Sequence, residues 1–281
     1  AASSLARRVG VSDLVIGLTV VGFGTSLPEF AVTVDAAVVG QADIAVANVV
    51  GSNLLNLGFV LGSVALLGPI TASQTLVRRD GGVLIASTIL GWLVCRDLTV
   101  TRVEAGILFG AFLAYLLVVV GRDESRTTAA GTEGRATVRT VLALVTGLAL
   151  IVLGANLLVG SATDLARVAG LSEWVIGETV VAFGTSTPEF VASLAAARRG
   201  LGDVAAGNLV GSSIFNLLGV LGLAGLLVPL GVGPAAVTSL GWLVGLTVLV
   251  IALLATGGRL SRPEGVPLVL IAVGKWVLDL V

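Results

Sequence analysis

Residues 22–30 read GFGTSLPEF, and residues 182–190 read AFGTSTPEF. Each stretch sits inside a long apolar segment. There a proline removes a helical N–H and collides with the carbonyl four residues back, and an ionised glutamate is costly. One chain makes that choice twice, 160 residues apart.

The likeness spreads outward from these nine residues. Gly10–Pro69 laid over Gly170–Pro229 without a gap gives 32 identities in 60 positions. Both copies open on Ser and an acidic residue (Ser12-Asp13, Ser172-Glu173) and pass through GTSxPEF. Both then reach ANVVGSNLLN (47–56) or GNLVGSSIFN (207–216) and close on a proline. This is a duplication with a period too long for a solenoid.

The surroundings of the motif define the class. Of the 281 residues 56% are hydrophobic and 12% charged, and the mean hydropathy is +1.07; soluble domains carry about 25% charged residues. Apolar runs of about 20 residues, enough to cross roughly 30 Å of hydrocarbon, recur throughout. The reading is all-α: a polytopic, multi-pass cell-membrane protein in a lipid bilayer. The net charge of −1 points to no nucleic-acid partner. With Cys95 as the one cysteine and no histidine, internal disulfides, thiolate cages, imidazole relays and haem ligation are excluded.

The apolar pattern predicts helices at 12–39, 43–67, 79–96, 100–121, 137–166, 172–199, 203–227, 235–256 and 266–280. That makes nine, in halves 1–121 and 137–281 joined by a linker over 122–136. The second copy is preceded by an apolar stretch, 137–160, with no counterpart in the first, so the expected design is five plus five helices with the first one missing. An odd number per half places the halves in opposite orientations, as in the inverted repeats of many transporters. Alternating the connections puts Arg7, Arg8, Arg78, Arg79, Arg122, Arg126, Arg135, Arg139, Arg198, Arg199, Arg259 and Arg262 on one side. Only Arg96, Arg102, Arg167 and Lys275 fall on the other. That bias predicts a cytoplasmic link at 121–139.

Pro28 and Pro188 free backbone carbonyls around Gly24-Thr25 and Gly184-Thr185, which a membrane tolerates only against protein or a wet cavity. Beside them stand Thr25, Ser26 and Glu29, matched by Thr185, Ser186 and Glu189. The second motif adds Asn48, Ser52 and Asn56, matched by Asn208, Ser212 and Asn216. Carboxylates, hydroxyls, amides and loosened carbonyls suit hard inorganic cations such as Ca²⁺ or Na⁺, and the lack of thiolate and imidazole disfavours softer metals. A single kinked helix with a hydrogen-bonded glutamate would be a structural feature; two with matching partners point to one shared site near the midplane. Glu178, which replaces Leu18 of the first copy, is expected at an interface or a helix cap. Asp35, Asp43 and Asp203 are expected near solvated helix ends.

These motifs resemble the α-repeats of the cation/calcium antiporter superfamily, which contains the sodium/calcium exchangers. The resemblance covers nearly the whole chain. It implies ten helices in two inverted halves and no enzymatic activity or cofactor, with Ca²⁺ exchanged for Na⁺, or for H⁺ in some branches. Glu29 and Glu189 match the acidic Ca²⁺ ligands, and Thr25 and Thr185 the residues lending backbone carbonyls. Ser26, Ser52, Ser186, Ser212 and the Ala182 carbonyl match Na⁺ ligands, with Gly22 in the equivalent place. Asn56 matches the central amide. Its partner is Asp in well-known exchangers and Asn216 here, which leads to the expectation of two monovalent ions per Ca²⁺. The competing readings are a Ca²⁺/H⁺ antiporter, an inactive truncated transporter and an intramembrane lipid phosphatase. The last would need cations for phosphate, and neither motif contains Arg or Lys.

Overall fold

A computed structural model describes residues 18, 21–121, 146, 147, 149, 150, 153, 164 and 167–280. The helix expected at 137–166 (isolated positions aside), the linker at 122–136 and the beginning of the first helix lie outside the described residues.

Both prolines end one helix and start another. A short helix α1 (Gly22–Thr25) stops at Ser26, which leaves helical geometry at ψ 10°, and α2 (Leu27–Val38) begins with Pro28 in its first turn. Proline is tolerated there because its missing N–H has no intrahelical partner in any case. The long helix α3 (Ala42–Leu67) follows. The second copy repeats the sequence of events: α6 (Glu173–Thr185) stops at Ser186, ψ 4°, and turns by 44° into α7 (Thr187–Ala197) before the long α8 (Gly202–Leu227). Between the copies lie α4 (Gly81–Val94, entered through a π turn at Leu76–Asp80) and α5 (Arg102–Gly121). After the second copy come α9 (Pro234–Gly257) and α10 (Arg262–Leu280).

The helices α3 and α8 are predominantly apolar with no solvent-facing polar side, and they are almost wholly buried. Each widens into a π-helical turn at the matching place, Leu55–Val60 and Phe215–Val220. They run antiparallel. Asp43, in the first turn of α3, accepts the Gly233 N–H just beyond the end of α8 at 2.8 Å. Asp203, in the first turn of α8, accepts the Ser73 N–H just beyond the end of α3 at 2.7 Å. The two aspartates thus hold loops in place, beyond the solvated role expected of them.

Two short antiparallel ladders close the ends. Strand β1 (Ile70–Thr71) pairs with β4 (Arg259–Leu260), and β2 (Thr99–Val100) with β3 (Leu230–Gly231). Arg262 donates to the Leu67 carbonyl at the end of α3, and Arg102 to the Leu227 carbonyl at the end of α8. Both satisfy helix C-terminal acceptors. Helix α10 starts four residues earlier than the hydropathy pattern indicates, because Ser261 and Glu264 form a capping box, with the Ser261 N–H on the Glu264 carboxylate at 2.7 Å.

Among the described residues four helices are long and apolar enough to cross a membrane, five with the bent pair α6–α7 counted as one span. Lys275 is a correction: it is 3% exposed within α10 and is not a connection charge. Its partners are described below.

Candidate cation site

The site forms where the two breaks meet the two buried helices. Thr25, Ser26, Glu29, Ser52 and Asn56 are buried, and so are Thr185, Ser186, Glu189, Ser212 and Asn216, with Gly22 and Ala182 beside them. All twelve residues singled out from sequence therefore lie in the interior. Close helix approach puts them there. A Cβ on Gly51 of α3 would lie 2.3 Å from the Glu178 carbonyl, and one on Gly211 of α8 would lie 2.5 Å from the Leu18 carbonyl. Only glycine lets these backbones touch. That contact brings Ser52 and Ser212, one residue on, against the opposite copy.

The hydrogen bonds cross between copies in matched pairs. Ser26 donates to Glu189 Oε1 at 2.7 Å, and Ser186 to Glu29 Oε1 at 2.9 Å. The Thr25 hydroxyl lies 3.2 Å from Asn208 Oδ1, and that of Thr185 3.1 Å from Asn48 Oδ1. Each of these asparagines is held from behind. Asn48 Nδ2 donates to Thr33 Oγ1 at 2.9 Å, and Asn208 Nδ2 to Ser193 Oγ at 2.9 Å. Ser212 reaches the Gly22 carbonyl at 3.1 Å and Glu189 Oε1 at 3.3 Å, while Ser52 lies 3.4 Å from the Thr185 hydroxyl.

What remains unbonded defines the chemistry. Among the described residues, Glu29 Oε2, Glu189 Oε2, Asn216 Oδ1 and both amide atoms of Asn56 are buried and have no hydrogen-bond partner. Buried polar groups are normally paired, so carboxylate and amide oxygens left free are chemically able to serve as ligands for a cation. Among the described residues no three His, Cys, Asp or Glu side chains come together. The set is thus two carboxylates among neutral oxygens, which fits a hard cation and no transition metal.

Sequence reasoning missed Thr33 and Ser193, which hold Asn48 and Asn208, and Asn53, whose Oδ1 accepts Asn216 Nδ2 at 3.4 Å. Thr33 and Ser193 carried a usable signal, since they occupy equivalent places and keep a hydroxyl. It also misjudged Glu178. That residue is fully buried, accepts the Trp174 indole N–H at 2.7 Å, and pairs with Lys275 at 3.2 Å, which in turn bonds Asp279.

A family model described as "Sodium/calcium exchanger protein" matches residues 1–121 and 139–275. The chain belongs to this family. Among its relatives, a putative antiporter, CaxA, of Alkalimonas amylolytica is 36% identical over 97% of this chain and 90% of its own length. The sodium/calcium exchanger MaX1 of Methanosarcina acetivorans is 30% identical over 99% of this chain and 91% of its own. The solved structure of the sodium-calcium exchanger NCX_Mj superposes with a TM-score of 0.82 at 30% identity, covering 98% of this chain and 90% of that one. The family is one of membrane transporters that exchange inorganic cations, not of enzymes.

Proposed function

We propose that the chain is a secondary active antiporter that exchanges Ca²⁺ for Na⁺ by exposing one shared site to each side of the membrane in turn. The observation that carries this reading is the crossed bonding. Each glutamate takes its serine partner from the other copy, so neither copy holds a site alone. The antiparallel course of α3 and α8 supports an inverted repeat of halves 1–121 and 137–281, with nine membrane helices. In this reading Glu29 and Glu189 carry the charge of bound Ca²⁺, and the backbone carbonyls of Thr25 and Thr185 complete its shell. Na⁺ takes Ser26, Ser52, Ser186, Ser212 and the carbonyls of Ala182 and Gly22. Asn56 and Asn216 lie between.

No chemistry beyond ligand exchange is required. The same oxygens serve either ion, so occupancy by one excludes the other, and that competition is the coupling. Two carboxylates neutralise one Ca²⁺ or two Na⁺, which makes the exchange electroneutral. Neither repeated motif contains Arg or Lys to meet a phosphate group, and the chain's one lysine pairs with Glu178 and Asp279.

The test is uptake of radioactive Ca²⁺ into proteoliposomes under an outward Na⁺ gradient, then under a proton gradient alone. Na⁺-dependent uptake that is lost in both Glu29→Gln and Glu189→Gln, with no net current, is the expected result. Uptake driven only by protons would move the chain to a Ca²⁺/H⁺ antiporter. A steady current under the Na⁺ gradient would defeat the two-for-one stoichiometry.

A further inference from the structure

Asn56 and Asn216 occupy equivalent places in the two copies, yet their surroundings differ. The difference traces to one position, Asn53 in α3, whose counterpart in α8 is Ser213. Both are fully buried. Asn53 Nδ2 donates to the backbone carbonyl of Ser213 at 3.2 Å. A backbone carbonyl can only accept, so it admits one orientation of the Asn53 amide, NH₂ toward α8. Asn53 Oδ1 must then turn to its other neighbour, and there it accepts Asn216 Nδ2 at 3.4 Å. Asn216 in turn has no choice: its NH₂ is taken up, and Oδ1 is its free, buried atom.

The other copy lacks this relay. Ser213 is too short to reach back, its hydroxyl is unbonded, and both amide atoms of Asn56 are unbonded. One amide of the pair is oriented, and the other is not.

We propose that Asn53 is a positioning residue that fixes the polarity of the Asn216 amide, so that a carbonyl oxygen rather than an NH₂ group is offered to the cation. The anchor is the Ser213 main-chain carbonyl, which no side-chain rotation can reverse. This rests on the cation-site reading above and adds a specific division of labour to it. Asn216 is the pre-set oxygen ligand, while Asn56 is free to turn either end of its amide to whatever occupies the site. Partners that orient a metal ligand typically change affinity by about 10–100-fold when removed.

The experiment is a double-mutant cycle on the full chain, with Asn53→Leu, Asn216→Ala and the double variant. Two readouts are taken: the Ca²⁺ concentration giving half-maximal thermal stabilisation in detergent, and that giving half-maximal uptake in proteoliposomes. Asn53→Ser, which copies the side chain of the second repeat, serves if the leucine variant folds poorly. The expected result is a rise of about tenfold or more in half-saturating Ca²⁺ for each single variant, with little change in maximal rate. The double variant is expected to match Asn216→Ala alone, because Asn53 acts through Asn216. A purely structural role for Asn53 would instead multiply the two effects, and that outcome overturns the proposal. So does a half-saturating Ca²⁺ concentration within twofold of wild type in both Asn53 variants. A wild type that binds Ca²⁺ without exchanging it would sink the transport reading while the stabilisation arm still decides on Asn53. If neither Ca²⁺ nor Na⁺ stabilises the wild type, both fall.

Discussion

Ser26 and Ser186 each have one hydroxyl proton and give it to the glutamate of the other copy. The two exchanges are alike in length but not in support. Glu189 Oε1 has Ser212 as a second serine donor, at 3.3 Å, and among the described residues Glu29 Oε1 has no second serine. A hydrogen bond to a charged group contributes about 1.5–3 kcal/mol, and 1.4 kcal/mol is about tenfold in affinity. Ser186→Ala is therefore expected to raise half-saturating Ca²⁺ by about tenfold, and Ser26→Ala by clearly less. Titrating Ca²⁺-dependent uptake in the two variants checks this; equal losses would mean that Ser212 does not share the load. At this scale the sequence was generous. Acidic residues beside proline in apolar surroundings are costly, and both Glu29 and Glu189 lie fully buried with a serine of the other copy on their carboxylates. The asparagines' own supports were harder to see: Thr33 and Ser193 hold Asn48 and Asn208 from 15 residues away, across a turn between helices.

Among the helices, α10 is joined to α6 by the Lys275–Glu178 pair, both ends buried, with Trp174 and Asp279 completing the bonding. The first copy solves the same packing problem with Leu18, fully buried against Gly211. Breaking a buried pair from one side strands a charge and costs about 3–5 kcal/mol, whereas replacing both partners by apolar groups is often neutral. Lys275→Met and Glu178→Leu should each lower the melting temperature in detergent well below wild type, and the double variant should recover most of it. No recovery in the double variant would mean that the charges, rather than the filling of space, are required there. Little of this could be read from sequence. Pro28 and Pro188 marked the helix breaks plainly, but Lys275 stands 97 residues from Glu178, in a helix outside the aligned stretches 10–69 and 170–229. The π turns at Leu55–Val60 and Phe215–Val220 were equally hidden, since hydropathy does not distinguish a turn of five residues from one of four.

Over the whole chain, the ends are told apart by charge. Arg259 and Arg262 lie by Ile70–Thr71 and Leu67, and Arg198 and Arg199 precede α8, whose Asp203 binds Ser73. Arg102 lies at the opposite end, on Leu227, beside the ladder of β2 with β3. A positive-inside orientation would place the end with Arg198, Arg199, Arg259 and Arg262 in the cytoplasm and Arg102 outside. It can be tested in a Cys95→Ala background, the native thiol being fully buried. In right-side-out vesicles, Arg102→Cys should react with a membrane-impermeant maleimide and Arg199→Cys should not. Labelling of both from outside would overturn the orientation.

Over the described residues the two copies share their helix breaks, π turns and crossed bonds, features that a pair of identical half-length chains would also show. A homodimer, however, must carry every residue twice. It could not place glutamate at 178 and leucine at 18, or asparagine at 53 and serine at 213. Joining the halves in one polypeptide releases them from that obligation. The lysine-bound glutamate and the one oriented amide are both found where the copies differ, and a symmetric assembly would have to forgo them.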